Sequence, residues 1–225
     1  MQITVTPKSA VKYDPGTMGA LATDGTLLVK PASFYEQFST TEVAYFGVKN
    51  GFYAIPTMEL VAWLKRVAGA RRMLEIGSGN GVLAKALGIQ ATDNLMQTWP
   101  DVMAHYRMLQ QEPVKYGAWV ENLDAHAAVD QYQPEVVLAC WVTHKYRDDR
   151  PELSGNQYGV DEEAILSRCQ TYIHVGNGKT HAGKPLKNLP HRRYQFDWLV
   201  ARTTEPALNE ICIWGARLPG EPPDA

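Results

Sequence analysis

In MLEIGSGNGVLAKALGIQATDN, residues 73–94, two acids bracket a run of alternating glycines. Glu75 stands two positions before Gly77, and Asp93 sixteen positions after it. Gly77, Gly79 and Gly81 let the main chain approach a ligand closely, because side chains there would occupy its space. A carboxylate such as Asp93 accepts hydroxyl protons in charge-assisted hydrogen bonds, each worth roughly 1.5–3 kcal/mol, and so suits the two hydroxyls of a ribose. It would also repel a 2′-phosphate. The G-x-G-x-x-G dinucleotide fingerprint is not met, since Val82 occupies its third glycine place. A glycine-rich turn with no ligand is the plain alternative.

Those residues need a strand–turn–helix–strand frame, and the hydrophobic pattern supplies one. In PTMELVAWLKRVAG, Leu60, Val61, Leu64, Val67 and Ala68 recur at helical spacing, with Gly69 as a stop. RRMLEIG (71–77) reads as a buried strand, GVLAKALG (81–88) as a helix and IQATD (89–93) as a second strand. Residues 95–112 hold a short helix interrupted by Pro100. Strands at 117–124, 135–142 and 171–176 alternate with helices at 125–132 and 161–170. Two last candidate strands, 196–202 and 210–217, are joined closely enough to be antiparallel neighbours. This order predicts an α/β fold: a doubly wound, mostly parallel seven-stranded sheet, helices on both faces, the last strand antiparallel. The glycine turn falls at the carboxyl ends of the strands, where such sheets bind ligands. Residues 1–55 read as an accessory segment packed on the main domain, 56–217 as that domain and 218–225 as a disordered tail.

On Leu74–Leu83 and Asp93 the sequence resembles the class I S-adenosylmethionine-dependent methyltransferases, whose first motif is an apolar strand, an acid and G-x-G-x-G. The resemblance covers roughly residues 56–217 and implies S-adenosylmethionine as cofactor. It places Gly77, Ser78 and Gly79 against the methionyl part, includes Gly81 among the cofactor-binding residues and sets Asp93 on the ribose. Glu75 then orders the loop and the amino-acid end. It also sets Asp124 near the adenine amine and the Ala125 amide near the ring. Asp124 reads equally well as the N-cap of the following helix.

The acceptor side is less defined. After the fourth strand, ACWVTHKYRDD lacks the Asp/Asn-Pro-Pro-aromatic signature of amino-methyltransferases and any Pro-Cys setting for a cytosine-C5 mechanism. Thr143, His144 and Tyr146 follow the strand, and His144 is a candidate general base because imidazole titrates near neutrality. His174, at the tip of the fifth strand, is a second. Trp141 is core, adenine packing or an acceptor platform. Tyr45, Phe46 and Tyr53 either line the acceptor pocket or anchor the N-terminal segment. GNGKT (176–180) fails the Walker spacing, and 176–192 reads as a long, flexible basic loop beside the active-site mouth, with Lys179, Lys184, Lys187, Arg192 and Arg193 as its cations.

Composition narrows the class. The 225 residues carry a net charge of −2 and are 45% hydrophobic, enough for one packed domain without a global positive field. Three cysteines without C-x-x-C spacing suit a reduced interior, and the six histidines lack metal-ligand spacing, so no metal is expected. No signal core or membrane-length apolar run is present, which predicts a soluble cytoplasmic protein with no membrane partner. The expected function is a methyltransferase acting on a small molecule. The alternatives are an RNA or protein acceptor, supported by the basic loop, a non-catalytic cofactor-binding module, or an NAD-binding oxidoreductase.

Overall fold

The architecture follows from where apolar residues can be covered. The structure, a computed structural model, describes residues 11–223. Its main sheet holds seven strands in the order β4-β3-β2-β5-β6-β9-β7. These are β2 (Met73–Ile76), β3 (Gln90–Asp93), β4 (Val120–Asn122), β5 (Val136–Cys140), β6 (Thr171–Asn177), β7 (Arg192–Tyr194) and β9 (Asn209–Gly215). β2 to β6 run parallel, while β9 is antiparallel to both β6 and β7.

Both faces of the sheet are covered, and β5 shows why its sequence is almost wholly apolar. Val136 and Leu138 turn to one face, packing with Leu60, Leu64 and Val67 of α3 (Met58–Ala68) and Leu83 of α4 (Val82–Leu87). Val137 and Ala139 turn to the other, against Ala128 and Val129 of α6 (Ala125–Tyr132) and Ile165 of α7 (Glu162–Leu166). Helix α3 begins where the Thr57 hydroxyl accepts the Leu60 N–H, and it stops at Gly69. The sequence order from β2 reverses across the sheet between β2 and β5, opening the crevice where doubly wound sheets hold ligands.

The N-terminal residues add α1 (Ala32–Tyr35), α2 (Thr40–Asn50) and β1 (Ala54–Ile55). Ser39 and Glu42 form a reciprocal capping box at the start of α2. β1 pairs antiparallel with β8 (Val200–Ala201) in a separate two-stranded sheet. Tyr35, Phe38, Phe46, Phe52 and Ile55 form a third cluster that reaches Val82 at the start of α4.

Several expectations need correction. The span 196–202 is not a strand of the main sheet. Phe196 and Trp198 stack on each other at 4.3 Å and lie against Trp63 of α3, which breaks the alternation a strand needs. The place beside β9 goes to Arg192–Tyr194, which starts at the end of the segment read as a flexible loop. Pro100 does not interrupt a helix; it opens α5 (Pro100–Met108), where its missing N–H costs nothing. Leu218 is 2% exposed in the core and Glu221 is held by Arg192, so the tail is docked through that point; residues 224–225 lie outside the described ones. Among the described residues no helix is long and apolar enough to cross a membrane.

Candidate active site

The turn after β2 is built from alternating left-handed glycines. Gly77 and Gly79 have φ of +54° and +55°, a region L-residues enter at a cost of roughly 1–2 kcal/mol. A Cβ on Gly77 would lie 2.8 Å from a Val142 methyl, so the turn is also tight against the chain after β5. The Ser78 N–H donates to the Thr92 carbonyl at 3.0 Å and the Gly79 N–H to Asp93 Oδ2 at 2.9 Å, tying the turn to the end of β3. The Ser78 hydroxyl is buried with no hydrogen-bond partner, an unmet polar atom in the floor of the turn.

Each acid has a defined duty. Glu75 is buried and accepts the Ala84 N–H at 2.9 Å, satisfying one of the free amides in the first turn of α4. Burial pushes its carboxyl up to about 8, against the lowering effect of that bond. Asp93 accepts the Gly79 N–H and, at 2.8 Å, the Leu95 N–H. Burial raises its pKa and the two backbone bonds lower it. Asp124 caps α6 by accepting the His126 and Ala127 N–H groups at 2.9 and 3.1 Å.

These groups border one cavity of about 390 Å³, within the range of small-ligand sites. Glu75, Gly77, Ser78, Gly79, Asp93, Asp124 and Ala125 line one side. Tyr53, Trp141 and Thr143 of the acceptor-side candidates border it as well. Sequence reading missed two further parts. One is a polar and phenolic group, Gln97, Tyr106 and Tyr116, in which Tyr106 hydrogen-bonds Tyr53 and the Gln97 amide accepts the Val114 N–H at 2.8 Å. The other is a strap over 143–161, held by bridges His144↔Val160 and Lys145↔Asn156, which brings Lys145, Gln157 and Tyr158 to the cavity. Its one sequence signal was Gly159, where a Cβ would strike the His144 carbonyl at 2.2 Å.

Other candidates lie elsewhere. Gly81 does not border the cavity; it is the left-handed N-cap of α4, and its carbonyl accepts the Trp119 indole N–H at 2.9 Å. Phe46 is fully buried against Phe52, Tyr45 lies on α2 away from the cavity, and Tyr146 projects from the strap outside it. The His144 ring is buried and pairs through Nε2 with the Leu153 carbonyl at 3.1 Å, off the cavity, so it is not placed as a base. His174 is buried in mid-sheet with its ring edge to His181, and burial drives its pKa well below the usual range. Neither histidine borders the cavity.

The basic loop is also corrected. Lys179 pairs with Glu205, Lys184 with Glu162, Lys187 and Arg193 with Glu210, and Arg192 with Glu221, all at 2.5–2.7 Å. Lys184, Leu186 and His181 are buried, so the segment is packed and largely neutralised.

No family model matches the chain. Over 69 residues it is 33% identical to the tRNA1(Val) (adenine(37)-N6)-methyltransferase of Escherichia coli strain K12 / DH10B, covering 31% of this chain and 28% of that protein. The chain thus spans less than a third of the curated relatives it matches. Among solved structures it is similar to a precorrin-6y C5,15-methyltransferase from Geobacter metallireducens, with 12% identity, coverage of 71% and 89% and a TM-score of 0.37. An rRNA methylase from Streptococcus thermophilus gives 12% identity, coverage of 68% and 92% and a TM-score of 0.35. The strand order of the sheet, the glycine turn after β2 and the acid closing β3 make this the fold of the class I S-adenosylmethionine-dependent methyltransferases.

Proposed function

We propose that the chain is an S-adenosylmethionine-dependent methyltransferase whose acceptor is RNA. The observation that carries the first half is the Gly77–Gly79 turn, with a buried, unpartnered Ser78 hydroxyl in its floor and Asp93 fastened beside it at the cavity edge. An orphaned polar atom in a left-handed glycine cradle fits a ligand that brings its own polar groups. In this reading the turn receives the methionyl part, Asp93 takes a ribose hydroxyl, and Asp124 with the Ala125 amide meets the adenine. Glu75 acts through α4, holding the turn in place. The cavity is lined mostly by residues of 56–217, with Gly51, Tyr53 and Ala54 of the accessory segment added to its wall.

The cofactor supplies a methyl carbon on a sulfonium, and transfer to a nucleophile is an in-line displacement. The protein's share is alignment and exclusion of water. The Trp141–Thr143 turn, at the end of β5, forms the wall facing the glycine turn, as the contact of Val142 with Gly77 requires.

For the acceptor, the local similarity to a tRNA adenine methyltransferase supports RNA over the small molecule favoured by composition. The paired cations of 179–193 lend RNA no support, so that reading stands on the similarity and the cavity wall. The test is incubation of the protein with cell extract and radiolabelled S-adenosylmethionine. Label in a large, nuclease-sensitive fraction is expected. Label in a small, nuclease-resistant fraction would return the acceptor to a small molecule.

A further inference from the structure

Every described α-helix except α5 buries at least one residue. In α5 the apolar stripe Val102, Met103 and Tyr106 is only half-buried, and Met108 is 72% exposed. The helix is held instead by two walls of the cavity. At its start Asp101 accepts the Tyr158 hydroxyl of the strap at 2.9 Å, and the ring of the preceding Trp99 stands edge-on to Tyr158 at 4.9 Å. Near its end the Tyr106 hydroxyl pairs with that of Tyr53 in the accessory segment, whose ring is backed by the Arg202 guanidinium at 3.5 Å. Tyr53, Tyr106 and Tyr158 all border the cavity.

The stems on either side of α5 are fixed. Before it, the Leu95 N–H is bonded to Asp93 and the buried Gln97 accepts the Val114 N–H; after it, Gln111 is buried. The chain turns at each stem through a non-glycine residue in the left-handed region, Leu95 and Gln110, both at φ +54°. Such residues stay there only where the surroundings enforce it. Fixed stems around a helix with no buried anchor make a hinged flap, and lids are drawn from elements of this low local stability.

We infer that α5 with Trp99 is a lid on the cavity, latched to the strap through Asp101 and Tyr158, and that opening this latch gates the passage of ligand. Opening breaks exposed contacts and uncovers no core, so the sheet and its packing stay intact. Closed, α5 joins the accessory segment to the strap and keeps water from the reacting atoms. The Leu95 bond to Asp93 ties the stem to the acid proposed for the ribose, so that occupancy and closure favour each other. The lid belongs to the cavity whatever its occupant; only the choice of probe rests on the proposed function.

The test is amide hydrogen exchange on the full chain, free and saturated with S-adenosylhomocysteine, together with the association and dissociation rates of that ligand by surface plasmon resonance. In the free protein the amides of residues 103–109 are expected to exchange at least about tenfold faster than those in the middle of α3, and bound ligand is expected to slow them. Asp101 does not border the cavity. Asp101→Ala removes the latch and is expected to raise both rates together by about 3- to 10-fold, the worth of one hydrogen bond, with affinity held within about twofold. Tyr158→Phe leaves the helix sequence untouched and should speed exchange at 103–109 in the free protein by the same factor. Asp101→Asn, whose amide oxygen still accepts the hydroxyl, should return most of the protection. Exchange in α5 as slow as in α3, or unchanged by bound ligand, would overturn the lid. So would an Asp101→Ala protein with both rates unchanged, or with faster dissociation alone, which marks an ordinary binding contact. Failure of the wild-type protein to bind S-adenosylhomocysteine would bring down the proposed function, while exchange in the free wild-type and Tyr158→Phe proteins would still decide the lid.

Discussion

Replacing Asp93 by asparagine tests the ribose contact, and the structure sets the size of the effect. An ionised carboxylate offers about four lone-pair sites. Two are taken by the Gly79 and Leu95 N–H groups, which leaves room for a ligand hydroxyl. One charge-assisted bond at roughly 1.5–3 kcal/mol corresponds to about a tenfold to hundredfold loss of affinity for S-adenosylhomocysteine. Asparagine also turns an amide donor toward one of the backbone donors and loosens the glycine turn, so affinity alone would mix two causes. A double cycle separates them. The 2′-deoxy and 3′-deoxy analogues are titrated into wild-type and Asp93→Asn proteins by calorimetry. At least one analogue should lose affinity in the wild type and lose little more in the variant, giving a coupling of about 1 kcal/mol or larger. Losses that add to within about 0.5 kcal/mol for both analogues would mean that Asp93 fastens the turn without touching the sugar.

Glu75 is raised to about 8 by burial, above its unfolded value near 4.3, so its neutral form is favoured and its contribution to stability is full below that unfolded value. The contribution is lost as pH rises toward 8, by at most about 1.4 kcal/mol per unit; Glu75→Gln should flatten this slope in urea titrations between pH 5 and 8, and an unchanged slope would refute it. Gly79→Val should abolish S-adenosylhomocysteine binding in a folded protein, because a branched residue at φ +55° distorts the turn while its Cβ meets Val114 only at ordinary contact distance, 3.7 Å; retained calorimetric binding would put the ligand elsewhere. Glu162→Ala should cost about 3–5 kcal/mol in urea denaturation, since it strands the fully buried Lys184 ammonium 2.5 Å from the lost carboxylate. The double variant Glu162→Leu with Lys184→Met should recover most of that, and a small loss in the single variant would mean that the ammonium reaches water.

The glycine-turn half of the cavity was legible because it depends on local sequence. Alternating glycines dictate a left-handed turn, and an acid at the end of a strand and another at a helix start must sit at the carboxyl edge of the sheet. Glu75, Gly77, Ser78, Gly79, Asp93, Asp124 and Ala125 therefore reach one cavity. Gly81 carried the same pattern but turned the chain into α4. The strap half depends on long-range packing. Lys145, Gln157 and Tyr158 arrive through a strap whose pairing has no periodic signal, and its Tyr158 hydroxyl closes on Asp101 of α5 at 2.9 Å. His144 and His174 had the right chemistry in sequence, but burial behind the wall follows from strand register and loop packing, which composition does not reveal. The cations of 179–193 looked free because their partners Glu162, Glu205, Glu210 and Glu221 come from other elements.

The most direct test of the central claim is a calorimetric titration of the wild-type protein with S-adenosylhomocysteine, paired with the same titration using NADH. Saturable binding of S-adenosylhomocysteine at one site per chain, with no heat from NADH, is the predicted result. Binding of NADH, or of neither ligand, would contradict it.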